Sequence, residues 1–123
     1  MHTVNSVRGQ FKSALKETDE AWKLLINELE QQFGPGLDLS AVLFLIGVQE
    51  LGIDKRKFGK DQKLELMHIA ICTVLEPYGF YAPLGRDTDG YPHWELESSL
   101  PALTAGQQSQ LMKEAILHYF DKK

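Results

Sequence analysis

Val4, Val7, Phe11, Leu15, Thr18, Trp22, Leu25, Leu29 and Phe33 recur at alternating steps of three and four. At about 100° per residue they fall on one narrow stripe. The opposite face carries Lys12, Lys16, Glu17, Glu20, Lys23, Glu28 and Glu30. The pattern predicts an amphipathic helix over residues 4–33, ended by Gly34-Pro35-Gly36. Gly9 is a point where it would break, leaving a shorter helix and a loose N-terminal arm.

A second helix is predicted over residues 39–51, with Asp38 or Ser40 as its cap. Leu39, Leu43 and Ile46 share one face, and Phe44, Val48 and Leu51 share another. A helix that is apolar all round is central or lies in an oligomer interface. Four antiparallel helices leave each one an exposed back, so this surplus predicts a cover. The cover is either the non-helical segment described below or a second subunit.

A third helix is predicted over residues 61–76, capped by Asp61 and stopped by Pro77, because the residue before proline avoids the α region. Its inward stripe is read as Leu64, Met67, Ile71, Leu75 and Tyr78. The last helix, residues 104–121, opens on Thr104 with Gln107 three positions on, the spacing of a capping box. Leu111, Met112, Ala115, Ile116, Tyr119 and Phe120 form its apolar side.

Residues 78–103 do not read as helix, and they far exceed the usual helix–helix connection of about 2–8 residues. Tyr78, Phe80, Tyr81, Tyr91 and Trp94 lie here, around the turn signal Asp87-Thr88-Asp89-Gly90. A small hairpin is the simplest fit, with Pro83 and Pro92 keeping its strands short or edge-like. The expected fold is all-α: a compact four-helix bundle in one domain over residues 1–123, with a hairpin-like aromatic insertion before the last helix.

Composition narrows the function classes. Thirteen Lys and Arg against seventeen Asp and Glu give a net charge of −4, which argues against a general nucleic-acid binder or an anchor on anionic lipid. The longest apolar run, Ala41 to Val48, is too short to span a bilayer, and the start of the chain does not read as a signal peptide. The expected location is the cytoplasm. The single Cys72, inside Ile69-Ala70-Ile71-Cys72-Thr73-Val74, reads as an inert core residue.

Three constellations could carry chemistry. In the loop Gly85–Glu95, Asp87 and Asp89 resemble the middle of a calcium loop, but the match would put Gly85 first and Leu96 twelfth, where carboxylates are needed. An Asp-rich turn with Gly90 at positive φ explains the same residues. It leaves Arg86, Tyr91, His93 and Trp94 as a ligand surface, or as aromatics that close the end of the helices. Glu50 and His68 would meet if helices two and three form a hairpin centred near Lys57. Glu65-Leu66-Met67-His68 has the Glu-x-x-His spacing of di-iron proteins, yet no second copy occurs. The basic turn Lys55-Arg56-Lys57 reads as solvated, with Phe58 anchoring it.

No cofactor is called for by any motif. The leading expectation is a non-enzymatic interaction or assembly module acting as a homodimer through helix two or the insertion. The alternative is a small ligand- or metal-binding protein or enzyme. Its site would draw on Glu50, His68, Arg86, Asp87, Asp89, Tyr91, His93 and Trp94, and the identity of any metal stays open.

Overall fold

The computed structural model describes residues 4–52, 58–99 and 101–121, and before Lys16 it describes the first helix by backbone alone. The elements run α1 (Val4–Phe33), α2 (Leu39–Leu51), α3 (Lys60–Leu75), a 3-10 turn (Glu76–Tyr78), β1 (Tyr81–Arg86), β2 (Pro92–Leu96) and α4 (Ala105–Asp121). The chain is mostly helical, but the insertion holds a true two-stranded antiparallel sheet, so a strictly all-α description is corrected.

The helix ends follow the local chemistry. α1 passes through Gly9 without a break. Beyond its last turn, the Glu30 carboxylate accepts from the backbone N–H of Gly36 at 2.7 Å and of Leu37 at 3.2 Å, which folds the Gly-Pro-Gly turn back on the helix. Asp38, not Ser40, caps α2 by accepting from the Ala41 N–H at 2.9 Å. For α3 the cap is Gly59 rather than Asp61: Gln62 Oε1 takes the Gly59 N–H at 2.9 Å, and Asp61 sits in the first turn. At α4 the capping box closes both ways, Gln107 N to Thr104 Oγ1 at 3.1 Å and Thr104 N to Gln107 Oε1 at 2.9 Å. The basic turn Lys55-Arg56-Lys57 lies outside the described residues.

α2 and α3 make the closest helix pair. A Cβ built on Gly47 would overlap the Leu66 carbonyl, standing 2.8 Å from its carbon, so only glycine admits this approach. The contact fixes the rotation of α3 and corrects its inward stripe in part: Leu75 is buried and Met67 and Ile71 pack against the core, whereas Leu64 and Tyr78 do not. The buried residues are Leu66, Ile69, Ala70, Cys72, Val74 and Leu75, while Leu64 is 63% exposed and Tyr78 also faces solvent. The segment is apolar at so many positions that two stripes satisfy the helical period. The close approach of Gly47 to Leu66 selects between them.

The main core draws on all four helices: Leu29 from α1, Val42, Leu43 and Ile46 from α2, Ala70, Val74 and Leu75 from α3, and Ala115, Ile116 and Tyr119 from α4. Trp22, Leu25 and Ile26 of α1 and Phe80 and Tyr81 of the insertion pack against it. A second cluster of Leu51, Leu66 and Ile69 is covered by Phe44, Val48, Phe58 and Tyr91. The aromatics of the insertion thus supply part of the cover that α2 requires. Phe58 is anchored as expected, its ring meeting Phe44 edge-on at 6.0 Å.

Candidate functional site

The hairpin folds back onto the end of α2 and against α3. Its turn is organised by one carboxylate. Asp87 Oδ1 accepts from the backbone N–H of Asp89 at 2.9 Å and of Tyr91 at 3.0 Å, and Gly90 takes the positive φ of 87°. Asp87 Oδ2 meets His93 Nε2 at 2.8 Å across the hairpin. The His93 hydrogen bond, then the backbone donor of Tyr91, hold the Asp87 pKa below its ordinary value. β1 and β2 pair from Tyr81↔Leu96 to Arg86↔Pro92, with a bulge between Pro83 and Gly85. The bulge accommodates Pro83, and Pro92 stands at the first position of its strand, as prolines in sheets do.

Arg86 ties this turn to α2. Nη2 donates to the Glu50 carbonyl at 2.6 Å, and Nη1 donates to the carbonyls of Leu51 at 2.9 Å and Gly90 at 2.8 Å. A helix leaves its last carbonyls without partners and its C-terminus negative, so a guanidinium there satisfies both needs. The residue read from sequence as a ligand contact is in the first instance a helix cap delivered from 35 residues away.

Behind Arg86, between α2, α3 and the hairpin, lies a recess of about 210 Å³ bordered by Glu50, Thr73, Pro83, Arg86, His93 and Trp94. Four of the sequence-predicted residues, Glu50, Arg86, His93 and Trp94, therefore share one site. The Glu50 carboxylate accepts from the Tyr119 hydroxyl at 2.6 Å. Burial, then this hydrogen bond and the carboxylate charge, push the Tyr119 pKa far up. Thr73 donates its hydroxyl proton to the Ile69 carbonyl at 2.7 Å. The Trp94 Nε1–H is buried with no acceptor among the described residues.

The remaining candidates are placed elsewhere. Asp87 is committed to the turn, Asp89 stands exposed beside it, and Tyr91 packs over Leu51, Leu66 and Ile69. The expected Glu50–His68 contact is replaced: Glu50 meets Tyr119, and His68 stands exposed on α3. Its Nε2 lies 3.5 Å from Cys72 Sγ, and its ring lies edge-on to Tyr81 at 6.4 Å. The rotation of α3 set by Gly47 turns His68 outward. Among the described residues no three His, Cys, Asp or Glu side chains are grouped so as to hold a metal ion. Cys72 is fully buried, and desolvation raises its pKa to about 11. Thr73 and Tyr119 are site residues that sequence reading missed. A tyrosine inside an apolar stripe was the available signal, since a buried hydroxyl needs a partner.

Two further concave surfaces stand apart from the recess. A groove of about 390 Å³ runs between the last turns of α1, the outer side of α2 and the end of α4, with Leu25, Leu29, Phe33, Leu45, Val48 and Phe120 as its apolar walls. Phe33 at its edge is 56% exposed. An open cleft of about 670 Å³ follows the start of α4, between Phe80, Pro101, Leu103 and Leu111.

Comparison with protein-family models, curated proteins and solved structures finds no match for this chain. Among the described residues no helix is long and apolar enough to cross a membrane.

Proposed function

We propose that the protein is a non-enzymatic interaction module, a four-helix bundle in one domain that acts as a homodimer in the cytoplasm. The groove on α1, α2 and α4 is the observation that carries it. Its residues include a single charged side chain, Glu28, with Gln32 and Gln49 as the other polar members. Depletion of charge with retained aromatic and aliphatic surface is the composition of an interface centre. The exposed Phe33 ring stands beside the hollow on the same face. A projection next to a hollow suits a two-fold interface, in which each copy inserts its Phe33 into the other's groove.

Light scattering coupled to size exclusion tests this. The wild type is expected to run as a dimer, and Phe33→Asp, which changes an exposed position, as a folded 13.9 kDa monomer. A wild-type monomer at high concentration, or a dimer unaffected by Phe33→Asp and by Val48→Glu, overturns it.

A further inference from the structure

The hairpin is a two-stranded sheet, so each of its strands has one edge without a neighbouring strand. The hydrogen bonds at its two ends show which backbone groups face those edges. Glu97 N donates to Phe80 O at 2.9 Å, and Asp87 N donates to Tyr91 O at 2.9 Å. Hydrogen-bonded and non-hydrogen-bonded pairs alternate along an antiparallel ladder. Ala82↔Glu95 and Gly85↔His93 are therefore bonded pairs, whereas Tyr81↔Leu96, Pro83↔Trp94 and Arg86↔Pro92 turn their N–H and C=O groups outward. Both prolines fall at outward positions, where a missing N–H breaks no bond of the hairpin.

The two edges differ. On β1 the outward run is interrupted by Pro83, which has no N–H, and by the bulge beside it. On β2, Trp94 and Leu96 each present an N–H and a C=O, and among the described residues neither backbone bonds to a neighbouring element. Their side chains lie on the face shared with Tyr81 and Pro83, and Leu96 is 57% exposed. Glu95 lies on the opposite face and Glu97 continues that alternation, both exposed.

From this we infer that β2 is the docking edge for an extended basic peptide segment of a partner protein, which adds a third strand beside Trp94 and Leu96. The pattern of β2 names the chemistry. On an incoming strand the period of two sets apolar residues beside Trp94 and Leu96, and Lys or Arg beside Glu95 and Glu97. Residues 81–99 carry Asp87, Asp89, Glu95 and Glu97 against Arg86 alone among Lys and Arg, and Arg86 is committed to the carbonyls of α2. A second copy is disfavoured at this edge, because pairing two β2 strands sets the glutamates of both against each other. Nucleic acid meets the same repulsion. The groove on α1, α2 and α4 shares no residue with this edge, so the surface is independent of the self-association proposed above.

The probe is acetyl-Lys-Val-Lys-Val-Lys-Val-amide, titrated into isotope-labelled protein and followed by NMR. The Trp94 and Leu96 amides are expected to move downfield saturably, with a Kd of about 0.1–1 mM, while the Ala82 amide, already bonded inside the hairpin, stays still. Only alternate peptide amides face the edge. N-methylation of one alternate set should therefore abolish binding, and of the other should leave it within about twofold. Glu95→Lys, at an exposed position, should weaken the lysine peptide roughly fivefold and bind acetyl-Glu-Val-Glu-Val-Glu-Val-amide more tightly than the wild type does. Phe33→Asp should bind the lysine peptide as the wild type does, which separates this edge from the dimer groove. Absence of a saturable shift at about 5 mM peptide overturns the proposal. So does equal loss from both N-methylated sets, or equal binding of the lysine and glutamate peptides by the wild type. Trp94 and Leu96 shifts that follow protein concentration without peptide would put a second copy on the edge and overturn it as well.

Discussion

Arg86 Nη2 lies 2.6 Å from the carbonyl oxygen of Glu50, so the last turn of α2 is capped by a side chain from the hairpin. The same guanidinium reaches Leu51 and Gly90, which makes the turn and the helix end one hydrogen-bonded unit. Arg86→Ala removes three charge-assisted bonds. Discounted for its exposed position, the loss is expected to be about 1–2 kcal/mol in urea unfolding. Arg86→Lys keeps the charge but cannot fork to three carbonyls, and it should recover less than half of that loss.

Gly47 is the other point where one residue decides a packing. Alanine would ordinarily strengthen a helix by about 1 kcal/mol over glycine. Here the added methyl meets the Leu66 carbonyl, which is backbone and held in α3, so the two helices must separate. Gly47→Ala is expected to cost a net amount of about 2 kcal/mol, with chemical-shift changes centred on Leu66 and Ile69. An unchanged or raised unfolding midpoint would show that the helices do not approach so closely.

These two residues also mark how far the sequence could be read. Helix positions followed from periodicity, and the cap at Thr104 and the turn at Asp87-Gly90 followed from residue types whose hydrogen bonds are local. Which of Leu64 and Leu66 turns inward is not legible, because both are equally apolar and the choice depends on a glycine 19 residues before Leu66. His68 stands on the shoulder of the stripe read from sequence, and in the folded helix it faces solvent. Arg86 reads from sequence only as part of a ligand surface, since the carbonyls it caps are backbone atoms that every residue has. The aromatic insertion was legible as a cover for α2, and Tyr91 over Leu51 is that cover.

The Asp87–His93 pair gives the turn an acid limit. The Asp87 pKa is lowered in the folded state, so its contribution is present above the unfolded value near 3.8 and is lost as pH falls through the lower folded value. Hairpin amide shifts of Asp89 and Tyr91 should therefore hold constant down to that region and then change together. Asp87→Asn keeps an acceptor for both backbone donors but removes the charge facing His93. It should abolish this acid-dependent step while leaving the turn formed near neutral pH.

Cys72 provides a probe of opening. It is fully buried and its pKa is raised to about 11 by desolvation, so at pH 8 it is a thiol without access to solvent. A disulfide reagent is expected to leave it unmodified in the native protein and to titrate it fully in denaturant. The native rate should follow the unfolding equilibrium and rise in Gly47→Ala by the same factor as the unfolding equilibrium constant. Rapid native labelling would show that α3 opens locally.

Tyr119 sets an alkaline limit of opposite sign. Its hydroxyl is buried against the Glu50 carboxylate, and ionising it would place two negative charges 2.6 Å apart. The folded pKa is therefore raised, first by desolvation and then by Glu50. A raised pKa contributes stability that is fully present below the unfolded value near 10 and is lost as pH climbs toward the folded one. Absorbance titration should show Tyr119 ionising only as the protein unfolds, well after an ordinary tyrosine. Tyr119→Phe removes the hydrogen bond to a charged, half-buried group and should cost about 1–2 kcal/mol near neutral pH. It should also flatten the fall in stability above pH 10, because the group whose ionisation opposes folding is gone. A variant with the same alkaline slope as the wild type would place the source of that slope elsewhere in the molecule.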